Sequence, residues 1–251
     1  MFPYRDDNPT LRTPVVTIAL IAVNLLVWLL LQGAGTEPTL TASICEHGAI
    51  PANLTGALRH EVAVELAPQV TCIVGPRADW LTIASSMFMH GGWMHLLGNM
   101  WFLWLFGNNV EDSMGRARFV GFYLLCGLAA CAAQVLASSH SLVPMVGASG
   151  AIGGVMGAYI VLYPRVRVHM LVVLVVFVFT VTVPAYFMLG YWILLQVLGA
   201  LPQWTSDAAG VAYWAHIGGF AAGALLIRLF ANPELVELHR RVWAYEVAGG
   251  D

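Results

Sequence analysis

The chain has 251 residues, of which 59% are hydrophobic and only 10% charged, with a formal net charge of −3 and a mean hydropathy of +0.75. A soluble domain carries roughly a quarter charged residues, so this composition excludes an ordinary soluble globule and points to an all-α polytopic membrane protein. All eleven basic residues are arginine, and no cluster of them suggests nucleic acid. No nucleotide or metal motif occurs, so no cofactor and no metal is implied.

Residues 1–13 are polar and proline-containing, and read as a short N-terminal tail. The apolar run within 14–31 is long enough for a first span. Residues 32–92 form a long connection containing Pro38, Pro51, Pro68 and Pro76. So long a loop is expected to carry structure of its own, and Leu54–Leu66 and Trp80–Met89 read as short interfacial helices. Asn53-Leu54-Thr55 matches a glycosylation sequon. Cys45 and Cys72 share this loop, where a disulfide and two buried thiols are both open readings. Cys126 and Cys131 lie in an apolar segment and read as small core residues.

Further spans are read at about 93–108, 118–138 and 149–163. Residues 165–183 are dominated by Val, Phe and Thr, which favour strands or a re-entrant segment as much as a helix. A fifth span is placed at about 184–201, the alternative being one that begins near 170. A sixth follows at 211–230, and residues 232–251 read as a polar tail. With the N-terminus inside, Arg5, Arg12, Arg116, Arg118, Arg165, Arg167, Arg228, Arg240 and Arg241 fall at or within the inner boundary, and only Arg59 and Arg77 fall outside. This is the positive-inside pattern. It puts both termini in the cytoplasm, the long loop outside, and Ser149 toward the outer face.

Ser149 opens the fourth span between Gly147 and Gly150. At 1.5 Å per residue, 149–163 covers about 22 Å of a hydrocarbon core of about 30 Å. A helix beginning below the surface needs protein or water over its free N–H groups, so a wet, outward-facing cavity is expected around Ser149. His216 enters the sixth span at a comparable depth. Gly219 and Gly223 make a GxxxG face there, and Gly150, Gly153, Gly154 and Gly157 make a small-residue face on the fourth span. Such faces let backbones approach closely and would bring His216 to Ser149 as general base. His95 and Asn99 share one face of the second span. With the Ser149 N–H they would form an oxyanion site, or else they simply tie helices together.

The motifs His90-x4-His95-x3-Asn99, Gly147-Ala148-Ser149-Gly150 and Ala215-His216-x-Gly218-Gly219-x3-Gly223, in this order, resemble those of the rhomboid intramembrane serine proteases. The resemblance implies a six-transmembrane-helix bundle with a long extracytoplasmic first loop, in the cell (inner) membrane. It implies a Ser149–His216 dyad without a triad acid, with an oxyanion site from His95, Asn99 and the Ser149 amide and Gly147 allowing the tight loop. His90 is implied to support that loop, and Gly150, Gly153, Gly219 and Gly223 to support the helix contact. The implied substrates are transmembrane segments of other membrane proteins, reaching the site from the lipid bilayer past the second and fifth spans and a 202–210 cap.

There are departures. Trp80 is followed by Leu81 and Thr82 where many relatives carry a Trp-Arg pair. Gly153 stands where some relatives have a Tyr that packs on the catalytic His, leaving Tyr213 or Trp214 as candidates to orient His216. The Ser149–His216 interval is also longer than in compact relatives. An inactive rhomboid-like scaffold is the principal alternative, and it is disfavoured because such proteins typically lack the Ser or the His. A lipase is disfavoured by the absence of G-x-S-x-G, and a metalloprotease by the absence of H-E-x-x-H. No Asp or Glu lies inside an expected span, which argues against an aspartyl protease or a proton-coupled transporter.

Overall fold

The computed structural model describes residues 2–67, 70–174, 177–204 and 210–247. Among the described residues, three helices are long and apolar enough to cross a membrane: Arg116–Ala137 (α6), the helical stretch Ala185–Gln203 whose α-helical part is Ala185–Ala200 (α8), and Tyr213–Phe230 (α9). Two shorter apolar helices, Val15–Leu30 (α1) and Ser149–Leu162 (α7), accompany them. Trp93–Met114 (α5) completes the bundle. Every residue of α7 from Gly150 to Tyr159 is buried, as expected of a helix that is apolar on all sides. α5, α6, α8 and α9 pack against it.

α5 runs past the expected end at 108 because its acidic residues have partners. Glu111 and Asp112 are buried. Glu111 accepts the Val16 and Thr17 N–H groups at 3.1 and 2.8 Å and the Thr17 hydroxyl at 2.9 Å. Asp112 accepts the Leu11 N–H at 2.7 Å and the Arg12 Nε–H at 3.3 Å. α1 has no side-chain cap of its own. A carboxylate at that end meets free N–H donors and the positive end of the helix dipole.

The all-α expectation is corrected by two small sheets. Residues 165–183 fold as an antiparallel hairpin of Arg167–Leu174 (β4) and Phe177–Pro184 (β5), paired from Arg167↔Pro184 to Leu174↔Phe177. On β4, Val168, Met170 and Val172 face inward at the two-residue period of a strand. The hairpin also removes the alternative of a fifth span starting near 170, since α8 begins at Ala185. Phe2–Asp6 (β1), expected within a polar tail, is the third strand and pairs antiparallel with β4. The other expected tail contains a helix, Pro233–Val247 (α10).

The long first loop is held by several clamps. It contains Thr39–His47 (α2), Pro51–Leu54 (α3), a hairpin of Val62–Ala67 (β2) with Val70–Val74 (β3), and Leu81–Ser85 (α4). The interfacial helix expected over 54–66 does not form: Leu54 ends α3, residues 55–61 are turns and irregular chain, and β2 begins at Val62. A short helix is found within the second expected stretch. Cys45 and Cys72 form a disulfide, whereas Cys126 and Cys131 are buried free thiols. Asn53 uses its whole amide as a clasp: Nδ2 donates to the Gly75 and Arg77 carbonyls at 2.8 Å each, and Oδ1 accepts the Asp79 N–H at 2.9 Å. The sequon asparagine is therefore a buried tie within the loop, just upstream of the place where a Trp-Arg pair is missing.

Candidate active site

Ser149 is the first residue of α7, and the segment before it is fixed on both sides. Ala49 and Met145 exchange backbone hydrogen bonds at 3.0 and 2.8 Å, and the Gly147 N–H donates to the Ser86 carbonyl at 2.9 Å. Gly147 has φ +128, and a Cβ there would lie 2.8 Å from the His95 ring. Both the conformation and the space thus require glycine.

α9 packs against α7 through backbone. A Cβ on Gly219 would lie 1.9 Å from the Gly150 carbonyl oxygen, and one on Gly223 would lie 1.9 Å from that of Gly154. A Cβ on Gly153 would meet the His216 carbonyl oxygen at 3.1 Å. This approach brings His216 Nε2 to 2.8 Å from Ser149 Oγ.

His216 is held from α8, by two residues that sequence reasoning missed. Its Nδ1 lies 2.8 Å from Gln196 Oε1, and the Trp192 ring lies beside it with centroids 5.7 Å apart. Tyr213, one of the two residues expected to orient His216, is placed elsewhere. It packs on Gly199, where a Cβ would meet its ring at 2.5 Å. The available signal was Gln196 itself. It is the one amide in an otherwise apolar stretch, and polar side chains in spans usually face the bundle interior.

His95 and Asn99 lie on the facing side, on α5. His95 Nδ1 accepts the Gly91 N–H at 3.2 Å, so the proton of the neutral ring sits on Nε2, beside Gly147. Asn99 is buried, and its Nδ2 has no partner among the described residues. His90 packs edge-on to His95, with centroids 5.2 Å apart. Its backbone is clasped by the Gln32 amide, which donates to the His90 carbonyl at 2.7 Å and accepts its N–H at 2.8 Å.

A cavity of about 600 Å³ reaches this group, its lining including His95, Asn99, Gln134, Ser149, Trp192 and His216. It holds a hydroxyl beside an imidazole, with donors opposite, so the arrangement is suited to acyl transfer. Among the described residues no group of three or more His, Cys, Asp or Glu side chains is placed to hold a metal ion. Most of the expected 202–210 cap lies outside the described residues.

The family model described as Rhomboid domain matches residues 77–233, more than half of the chain. Rhomboid protein 1, mitochondrial, of Saccharomyces cerevisiae is 30% identical over 149 residues, covering 58% of this chain and 40% of that protein. RHOMBOID-like protein 5 of Arabidopsis thaliana is 27% identical over 169 residues, covering 61% of this chain and 48% of that protein. Rhomboid protease GluP of Bacillus subtilis is 31% identical over 103 residues, covering 41% of this chain and 20% of that protein. The matches thus span less than half the length of these relatives.

Proposed function

This chain belongs to the rhomboid family of integral membrane proteins, and on that premise we propose that it is an intramembrane serine endopeptidase. The observation that carries the reading is the 2.8 Å approach of His216 Nε2 to Ser149 Oγ beside a cavity. The Ser149 hydroxyl donates to His216. As Oγ attacks the scissile carbonyl, the imidazole takes the proton and then delivers it to the leaving amine. Water attacks the acyl-enzyme by the same route in reverse. The developing oxyanion is met by the Ser149 N–H at the start of α7, by His95 Nε2–H and by Asn99 Nδ2–H. Donors placed in advance stabilise charge as it forms, and each is worth roughly 100- to 1,000-fold in rate.

The substrate class is a transmembrane segment of another membrane protein. The chain itself crosses six times, through α1, α5, α6, α7, α8 and α9, in a cell (inner) membrane. The arginine distribution supports cytoplasmic termini, with Ser149 toward the outer face. The Ser149 Oγ–His216 Nε2 contact at 2.8 Å favours an active enzyme over a scaffold.

The test is cleavage of a model transmembrane substrate by the purified protein in liposomes, beside Ser149→Ala and His216→Ala. Cleavage by wild type alone is expected. Cleavage that survives in Ser149→Ala would remove the mechanism, and no cleavage of several substrates by any form would return the scaffold reading.

A further inference from the structure

We propose that Gln196 is a positioning residue, fixing the tautomer and the ring plane of His216. The inference rests on the serine-protease reading above. A Ser–His pair works only if the imidazole nitrogen facing the hydroxyl carries a lone pair. A neutral ring has two tautomers, and the partner of the far nitrogen selects between them. Here that partner is an amide, and its two ends look alike until their surroundings are considered.

Gln196 lies buried on α8. Its Nε2 lies 3.1 Å from the Trp192 carbonyl oxygen one turn earlier. A carbonyl can only accept, so the NH2 end of the amide must face it. The carbonyl end, Oε1, is left facing His216 Nδ1 at 2.8 Å. Oε1 can only accept, so Nδ1 must carry the proton. Nε2 is then unprotonated and ready to accept from Ser149 Oγ at 2.8 Å. The chain of four groups, Trp192 carbonyl, Gln196 amide, His216 imidazole and Ser149 hydroxyl, has one consistent direction of donation throughout.

The same helix fixes the ring plane. Trp192 lies against His216 at an interplanar angle of 37°. Gly153 on α7 leaves the space that the Trp192 ring borders, since a Cβ there would lie 3.8 Å from Trp192 Cη2. Trp192 and Gln196 are four residues apart and so share one face of α8. A neutral acceptor here takes the place that a carboxylate holds in a Ser-His-Asp triad. It orients the imidazole without a buried charge, which is costly at membrane depth.

The experiment compares wild type, Gln196→Met and Gln196→Glu in liposomes. It measures kcat and KM on a transmembrane substrate, the rate of Ser149 labelling by a fluorophosphonate, and the thermal midpoint. Met matches the length of Gln but lacks the acceptor, whereas Glu restores an acceptor oxygen. Gln196→Met is expected to lose roughly 10- to 100-fold in kcat and in labelling rate, as orienting partners commonly do, with KM within about twofold and an unchanged midpoint. Gln196→Glu is expected to recover most of both rates. Wild-type kcat in Gln196→Met would overturn the proposal, as would a change confined to KM or a loss that follows the midpoint and not the acceptor. Failure of the wild type to be labelled would instead remove the protease reading, and this inference with it.

Discussion

Gly219 rests directly on the backbone of Gly150: any side chain at the first would meet the carbonyl oxygen of the second at 1.9 Å. Gly223 and Gly154 repeat the contact one turn further on. Backbone cannot step aside as a flexible side chain can, so bulk here must separate α7 from α9. Gly219→Ala is expected to lower stability by about 1–3 kcal/mol, the usual cost of overpacking. It should also cut proteolysis more than stability alone explains, because His216 rides on the displaced helix. Gly190→Ala on α8, where a Cβ meets nothing within 4 Å, should leave activity intact. Thermal midpoints and cleavage rates in one detergent measure both.

Gly147→Ala should damage the site without unfolding the chain. Its φ of +128 suits glycine, and its added methyl would press on the His95 ring at 2.8 Å. Displacing His95 removes one donor from the oxyanion site, so kcat should fall by about 100-fold or more with KM little changed. An unchanged kcat in this variant would show that His95 does not serve the oxyanion.

Glu111→Gln tests the buried cap of α1. The carboxylate accepts three hydrogen bonds from Val16 and Thr17, whereas an amide presents one oxygen and turns two donors on other donors. Loss of about 1–3 kcal/mol is expected, read as a lower thermal midpoint. Activity per folded molecule should persist, because the cap is remote from Ser149.

The pH dependence of stability should carry a signature of β1. Burial pushes the Asp6 carboxyl up to about 7 from an ordinary value of 3.8, against the Tyr159 hydroxyl that donates to it. Folding therefore favours the protonated acid. This contribution is full below about 4 and is lost as pH rises through about 7. Asp7 runs the other way: burial acts to raise it, but His169 and Arg5 outweigh burial and hold it below the usual carboxylate value. Its stabilisation is lost only in acid. Thermal midpoints across pH 4–8 should therefore fall with rising pH in wild type more steeply than in Asp6→Asn. Parallel profiles would show that Asp6 is not the titrating group.

The residues of the candidate site were legible because each broke a pattern. Ser149 interrupts a glycine run at the start of a helix too short for a bilayer, and His216, His95 and Asn99 are polar groups within apolar segments. What binds His216 was harder to read. Gln196 is also polar in an apolar stretch, but nothing local shows which of several helices its amide will face, and Trp192 reads as one more apolar residue. The sheet was half legible. The β-branched run of 165–183 signals strands, whereas Phe2–Asp6 has little strand character and is one only because β4 offers an edge. Glu111 and Asp112 misled in the opposite direction. Charges usually mark the end of a span, and here they are buried because the start of α1 supplies their hydrogen-bond donors.

The Asn53 clasp sets a condition on where this protein is made. Its side-chain nitrogen is the atom an oligosaccharide would occupy, and both of its hydrogens already serve the Gly75 and Arg77 carbonyls. Sugar transfer before closure of the loop would occupy this nitrogen and leave the segment around Trp80 untied. With the long loop on the outer side, as proposed above, production in a eukaryotic secretory host would set glycan attachment against folding at one nitrogen atom. Asn53→Gln, the customary way to erase a sequon, would spare the sugar and still spoil the clasp, whereas Thr55→Val would erase the sequon and keep the amide.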